Sequence, residues 1–104
     1  MKFTSKQRAY LRSLASTEET VLHIGKEGVT PEVVQAVDEA IDARELIKVG
    51  LLKNCFDDPN EVAEMVSERT RSTLVQVIGR KIVLYRKNRD NPKIELPRAK
   101  QGKS

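Results

Sequence analysis

The sequence is poor in cysteine, and it has no long hydrophobic run. Among its 104 residues is a single cysteine, Cys55, which excludes an internal disulfide and fits a reducing compartment. No apolar stretch approaches the roughly 20 residues that a membrane-spanning helix needs. The N-terminus carries charge without the apolar core of a secretory signal. We therefore expect a soluble, cytoplasmic protein with no membrane partner.

Residues suited to catalysis or metal binding are also scarce. Thiol catalysis would need a histidine to activate Cys55, and nothing in the sequence links it to the one histidine, His23. A metal site needs several ligands, so His23 is better interpreted as a packing or surface residue. The adjacent Asp57 and Asp58 favour helix capping over an acid–base pair. We expect no catalytic residue, metal, cofactor or small-molecule substrate, and hence no enzyme.

Basic charge is unevenly distributed along the chain. Residues 31–68 contain three cationic and ten acidic side chains, a net charge of −7, so the rest must carry +11 to reach the total of +4. Such an excess is a plausible footprint for a polyanion, although terminal lysines also simply keep a protein in solution. Aromatic residues make up only 4%, which argues against a surface that stacks several unpaired bases.

The hydrophobic pattern predicts the element order α, β, α, β, α, β, β. Two helix starts are signalled by a capping residue followed by proline, at Thr30 and at Asp58. Gly79 suits the first central position of a tight hairpin turn. The predicted segments are a basic amphipathic helix over 5–15, strands over 20–24 and 45–52, helices from 30 and 58, and a hairpin over 73–86.

This order predicts an α/β domain with a mixed four-stranded sheet, because strands that alternate with helices pair in parallel and a hairpin pairs antiparallel. His23, Lys48 and Gln76 fall on the phase opposite to the apolar strand residues, so the helices should cover mainly one face. After Arg86 large apolar groups become rare, which predicts a segment that buries too little surface to order itself. We expect one domain over 1–97 and a basic flexible tail over 98–104.

The stretch HIGKEGVTPE, residues 23–32, contains two glycines three positions apart. The patterns G-x-G-x-x-G and G-x-x-x-x-G-K-[ST], typical of dinucleotide and triphosphate loops, are absent. Two interpretations stay open. Glycine could serve only a sharp turn from strand to helix, or it could let a nucleic-acid phosphate approach the helix N-terminus beside Lys26.

Three motifs in order, GKEGVT, ELIKV and VQVIGRKIVLYR, make the chain resemble the CRM domain (chloroplast RNA splicing and ribosome maturation) in its stand-alone bacterial YhbY-type form. The resemblance runs from about Thr4 to Pro97 and includes KIELPR. It implies an RNA-binding domain similar in fold to the C-terminal domain of bacterial translation initiation factor three. It also implies association with ribosomal RNA in precursors of the large ribosomal subunit, through a loop that corresponds to Gly25, Lys26, Glu27 and Gly28.

The predicted RNA-binding set joins this loop to basic residues of the first helix, the hairpin and the segment behind it, namely Lys6, Arg8, Arg12, Arg80, Lys81 and Arg86. We expect a monomeric RNA-binding module in large-subunit assembly that captures RNA electrostatically. The alternative is a protein-interaction adaptor that uses the acidic helices, whose Asp38, Glu39 and Asp42 should lie on a solvated face. A small nucleic-acid-processing enzyme is the third hypothesis.

Overall fold

The computed structural model describes residues 3–97, which form three helices and four strands in the predicted order. The predicted tail over 98–104 lies outside these residues. None of the helices in the described part has the length and apolar character that crossing a membrane requires. The elements are α1 (Ser5–Ala15), β1 (Thr20–Ile24), α2 (Pro31–Arg44), β2 (Leu46–Leu51), α3 (Pro59–Thr70), β3 (Thr73–Ile78) and β4 (Lys81–Tyr85).

The four strands form one mixed sheet in the order β1-β2-β4-β3, which confirms the predicted fold class. β1 pairs with β2 in parallel, and β4 lies antiparallel to both β2 and β3. β3 therefore runs parallel to β2 with β4 inserted between them. The ends of β1, β2 and β3 and the start of β4 meet at one edge, which we name the turn edge. It carries the turn at 25–28, the loop at 52–58 and the hairpin turn at 79–80.

Both predicted helix starts are present, and both lie at the turn edge. The Thr30 hydroxyl accepts a hydrogen bond from the N–H of Val33 at 3.1 Å, and the Asp58 carboxylate accepts one from the N–H of Asn60 at 2.9 Å. Each capping residue precedes a proline, whose missing N–H is not needed in the first turn. These local signals determine the residues at which α2 and α3 begin.

The larger core lies between the sheet and the two helices α2 and α3. The apolar stripe of each helix packs against the strand side chains that point to this face, which are every second residue of a strand. The fully buried residues of the larger core include Ile24, Val37, Ile41, Val49, Val66 and Leu84. The expectation that helices cover mainly one face holds for these two helices.

A smaller core occupies the opposite face, where α1 crosses the sheet. Leu11 and Ala15 of α1 are buried there, and the segment that follows β4 adds apolar side chains at 94 and 96. Their partners are Leu46, Val75, Val83 and Tyr85 on the sheet, with Phe3 packed edge-on to Tyr85 at 5.6 Å between ring centroids. This second face is therefore covered in part, by one helix and one irregular segment.

The segment over 87–97 is held by Glu45, a fully buried residue at the C-terminal end of α2. Its carboxylate accepts hydrogen bonds at 2.7, 2.8 and 2.7 Å from the backbone N–H groups of Asn88, Lys93 and Ile94. The prediction that the chain after Arg86 cannot order itself is wrong for these residues. The few apolar groups suffice because a buried acceptor, which lies far away in sequence, satisfies the backbone.

The same contacts set the ionisation of Glu45. Burial raises the pKa of this carboxyl, but the hydrogen bonds from Asn88, Ile94 and Lys93 and the charge of Lys93 outweigh it, so the pKa lies below its ordinary value. The carboxylate is therefore charged at neutral pH. The backbone of Glu45 has φ = +67°, a conformation that non-glycine residues rarely adopt, and three hydrogen bonds to its side chain help to hold it.

Candidate nucleic-acid interface

The GKEG segment is a hydrogen-bonded turn at the turn edge. The N–H of Gly28 donates to the carbonyl of Gly25 at 3.0 Å, and Lys26 and Glu27 lie exposed at the tip. Gly28 has φ = +72°, and a Cβ there would lie 2.7 Å from Oδ2 of Asp57. The positive φ of the turn therefore favours glycine at position 28, as the turn interpretation predicts, whereas the Asp57 carboxylate is the end of an exposed side chain that can move.

Gly25 is under a weaker constraint. A Cβ at this position would meet Leu52 at 3.6 Å and Asn54 at 3.7 Å, which are ordinary van der Waals distances, and its φ is not positive. The conformation of the turn thus accounts for one glycine of the pair and leaves the other free to serve a ligand. Both interpretations of the GKEG segment stay compatible with its geometry.

Arg80 lies at the turn edge, where its guanidinium holds the loop that follows β2. It donates to the carbonyls of Leu51 at 3.3 Å, Leu52 at 2.6 Å and Cys55 at 2.5 Å. In return, the Arg80 carbonyl accepts the N–H of Leu51 at 2.8 Å. This residue of the predicted set therefore positions the loop, and it adds positive charge beside the GKEG turn.

Two other predicted arginines also donate to the protein's own backbone. Arg8 donates to the carbonyls of Leu74 and Val75 at 3.0 and 3.2 Å. Arg86 lies beyond the opposite end of β4 and donates to the Thr70 carbonyl at 2.6 Å. Its guanidinium also pairs with carboxylates at 2.6 and 3.8 Å, those of Asp38 and Asp42. The expectation that these two acidic residues lie on a solvated face is confirmed, since both are exposed, and both also pair with Arg86.

A cleft of about 360 Å³ lies between α1 and the part of the sheet that α1 leaves uncovered. It brings together two cations of the predicted set, Arg12 and Lys81, with a third, Lys48, that the set omitted. Lys81 also donates to the Thr20 hydroxyl at 3.0 Å. We name this surface the basic cleft, and among the residues that the structure describes no carboxylate lines it. It consists of Arg12, Ala15, Ser16, Lys48, Gln76, Ile78, Lys81 and Val83.

The strand register explains why these side chains converge. Val83 of β4 is aligned with Lys48 on one side and with Gln76 on the other, so the three residues form a row across the sheet. An irregularity between Leu74 and Gln76 shifts β3 so that Gln76 joins this row. The sequence contained a signal for Lys48, since it alternates out of phase with the apolar residues of its strand. Lys6 lies exposed at the start of α1 and is not part of the cleft.

The basic cleft is continuous with the turn edge. Lys81 follows Arg80 directly, and His23, exposed at the end of β1, is two residues from Gly25. His23 lies over Gly50, where an added Cβ would be 3.2 Å from its Cδ2 atom. Lys26, Glu27, Arg80, Lys81 and Arg12 of the predicted set therefore share one region of the molecule, whereas Arg86 lies apart from them.

The remaining candidates for site chemistry are distributed differently. Cys55 is buried in the larger core, while His23 is exposed. Within residues 3–97, no group of three or more histidine, cysteine or acidic side chains is arranged to hold a metal ion. The concentration of cations in the basic cleft is therefore the feature of this site that most clearly suggests a ligand class, namely polyanions.

Known proteins resemble the chain over nearly its whole length. The sequence profile of the CRS1 / YhbY (CRM) domain matches residues 3–86. A Bacillus subtilis protein named "Probable RNA-binding protein YqeI" is 47% identical over 94 residues, which are 90% of this chain and 98% of the relative. A Haemophilus influenzae protein named "RNA-binding protein" is 32% identical over 95 residues, 91% of this chain and 95% of the relative.

A solved structure agrees with the sequence relatives. The solution structure of a Staphylococcus aureus protein superposes with a TM-score of 0.78 at 50% identity, and the match covers 92% of this chain and all of that one. With the profile match over residues 3–86, these similarities show that the chain belongs to the CRS1 / YhbY (CRM) domain family.

Proposed function

We propose that this protein binds ribosomal RNA or its precursor and acts in assembly of the large ribosomal subunit. The observation that carries the proposal is the basic cleft, where, among the described residues, three cations and no carboxylate line a surface that reaches the hairpin turn, at the same edge as the GKEG turn. The names of the Bacillus subtilis and Haemophilus influenzae relatives support RNA as the polyanion. The proposed place of action is the cytoplasm.

In this proposal the RNA backbone lies in the basic cleft. Arg12, Lys48 and Lys81 neutralise phosphates there and release counterions, which gives affinity without reading the sequence. Lys26 at the tip of the GKEG turn adds a point charge at the adjoining edge, where Gly25 presents backbone without a side chain. Arg80 contributes indirectly, because it holds the loop beside that turn through three carbonyls.

The acidic side chains orient the RNA. The exposed carboxylates of α2 and α3 lie on the helices that cover the other face of the sheet, and they include Glu39, Glu61 and Glu64. Like charge repels phosphate, so an RNA that approaches the molecule meets attraction at the basic cleft and repulsion behind it. The uneven charge of the sequence thus becomes a difference between two faces.

Sedimentation of cell extract tests the proposed function. The parent protein should co-migrate with precursors of the large subunit, and a Lys48→Gln/Lys81→Gln variant should shift toward the top of the gradient. The matched control, Glu61→Gln/Glu64→Gln, neutralises two charges on the acidic helices and should sediment like the parent. Migration of the parent with free proteins alone would refute the assembly role and favour the adaptor. Cleavage of RNA by the purified protein would favour the enzyme.

A further inference from the structure

Phe56 is exposed to solvent over 89% of its surface, in the loop between β2 and α3. The other phenylalanine, Phe3, packs against Tyr85, and Tyr85 itself is buried. One exposed apolar side chain is ordinary for a protein surface and by itself indicates nothing. The position of Phe56 in the fold therefore decides whether it can contact a ligand.

The backbone on both sides of Phe56 is anchored. Cys55 is buried, its N–H donates to the Leu52 carbonyl at 2.9 Å, and its own carbonyl accepts from Arg80 at 2.5 Å. On the other side, Asp58 caps α3, where its carboxylate accepts the N–H of Asn60 at 2.9 Å and its carbonyl accepts that of Val62 at 3.0 Å. Asp57 lies next to the GKEG turn, since a Cβ on Gly28 would be 2.7 Å from its Oδ2 atom. Phe56 therefore projects into solvent from a held segment directly beside the GKEG turn.

The charges around Phe56 differ from those in the basic cleft. The turn at 25–28, the loop at 52–58 and the hairpin turn carry three cations, Lys26, Lys53 and Arg80. They also carry three carboxylates, Glu27, Asp57 and Asp58. The charges of this edge therefore sum to zero and Lys26 is its exposed cation at the GKEG tip, whereas the charged residues that line the basic cleft are all cations. An aromatic ring at an edge without net charge is suited to contact the uncharged part of a nucleotide, which is its base.

We propose that Phe56 stacks on one unpaired base of the RNA whose backbone occupies the basic cleft. The proposal rests on the proposed RNA-binding function and adds to it a preference for RNA with an unpaired nucleotide. Stacking on one ring tolerates any base, because every base has a π face, and a single exposed ring accommodates one base. The cleft then supplies attraction to the backbone, and Phe56 distinguishes an unpaired nucleotide from a continuous duplex.

The test compares two RNAs that differ in one nucleotide, a perfect hairpin duplex and the same duplex with a single bulged nucleotide. The parent protein should bind the bulged RNA more tightly. Phe56→Ala should weaken binding of the bulged RNA by about 5-fold to 150-fold, the range for loss of one stacked base, and leave the duplex affinity unchanged. The salt dependence should stay the same because no phosphate contact is lost.

Two further variants separate stacking from simple apolar contact. Phe56→Trp should retain the preference for the bulge, while Phe56→Leu should behave like Phe56→Ala, since leucine has no π face. With 2-aminopurine as the bulged base, binding of the parent should change its fluorescence, because the base leaves its RNA neighbours for the ring, and Phe56→Leu should not produce this change. Because the side chain is exposed, all three variants should unfold at the parent's midpoint.

The outcomes distinguish the stacking proposal from the proposed RNA-binding function on which it rests. If the parent binds neither RNA, the proposed function fails and Phe56 stacking fails with it. If the parent binds RNA but Phe56→Ala binds both RNAs as the parent does, stacking is refuted and RNA binding stands. An equal loss on both RNAs, or full activity of Phe56→Leu, also refutes stacking. Loss of co-sedimentation with unchanged RNA affinity would assign Phe56 to a protein contact instead.

Discussion

The two faces of the sheet are covered in different ways and carry different charge. On one face, α2 and α3 complete the larger core and expose acidic side chains. On the other, α1 and the segment around 94–96 cover part of the sheet, and the uncovered remainder forms the basic cleft. The candidate binding surface therefore arises where helical cover stops. A strand residue such as Lys48 can then serve a ligand because no helix packs over it.

Glu45 holds the segment that covers part of the α1 face of the sheet. We therefore expect its removal to have the largest effect, a loss in the free energy of unfolding. Glu45→Ala leaves three backbone N–H groups without their acceptor, and one buried unsatisfied group costs about 1–3 kcal/mol. We expect a loss of about 3 kcal/mol or more in the free energy of unfolding, measured in urea. Asp42→Asn, an exposed change at the end of the same helix, is the control. A loss below about 0.5 kcal/mol, typical of surface positions, would contradict the role given to Glu45.

Acid should weaken the same contact. The pKa of Glu45 is lower in the folded protein than in the unfolded chain, so its stabilisation is complete above the unfolded pKa. It is lost as the pH falls through the folded pKa. The Glu45→Gln variant cannot ionise at this position. Its free energy of unfolding should therefore decline less steeply than that of the parent below the ordinary glutamate pKa, and equal slopes would be the contrary result.

Removal of charge from the basic cleft should have the next largest effect, on RNA binding. Lys48→Gln/Lys81→Gln removes two phosphate contacts while it keeps most of each side-chain stem. The slope of log K against log salt should fall by about 1.4 to 1.8 units, at 0.7 per contact for single strands and 0.9 for duplex. Filter binding between low and moderate salt measures it. An unchanged slope would place the RNA elsewhere.

A smaller effect is expected at the GKEG turn. Lys26→Ala removes one charge at an exposed tip, so the salt slope should fall by somewhat less than one unit. Stability should change by less than about 0.5 kcal/mol, since the side chain has no packing role. Lys26→Glu should increase the loss in affinity. If both variants bind RNA like the parent, the turn serves only the fold and the cleft carries the binding.

The smallest effect is expected on the acidic face. Glu39→Gln should leave RNA affinity unchanged or slightly higher, because the residue is exposed on α2 and repels phosphate. It is a better probe than Asp38 or Asp42, which pair with Arg86. Its one side-chain hydrogen bond, from Gln35 at 3.4 Å, is long and exposed. Weaker RNA binding by a folded Glu39→Gln protein would reverse the assignment of the two faces.

The features that the sequence predicted are the local ones. Thr30 and Asp58 satisfy N–H groups two or three residues away, and each is followed by proline, so the start of each helix is encoded within a few positions. Alternation within a strand likewise predicts which residues face a core. Gly79, where the structure has φ = +55°, similarly marks the hairpin turn by its own conformational freedom.

The features that were missed depend on pairs far apart in the chain. The sequence gives no sign that Glu45 binds the backbone around 88–94. The residues next to Glu45 in the sequence do not indicate which distant N–H groups donate to its carboxylate. Arg8 and Arg80 looked available for RNA because the carbonyls that they contact are 66 and 29 residues away. Lys48 was identified as out of phase with the core, but its place beside Arg12 depends on how α1 crosses the sheet.

The position of β4 constrains when this chain can fold during synthesis. Of the four strands described, β4 is the last to leave the ribosome, yet it lies between β2 and β3 and contributes to both cores. Until it arrives, β2 and β3 have no partner on the sides that later face it, so the earlier elements cannot form the final sheet. The final sheet must then wait for β4, and long-range strand pairing makes this step slow. The basic cleft, which Lys81 and Val83 of β4 help to line, therefore cannot form until β4 has left the ribosome.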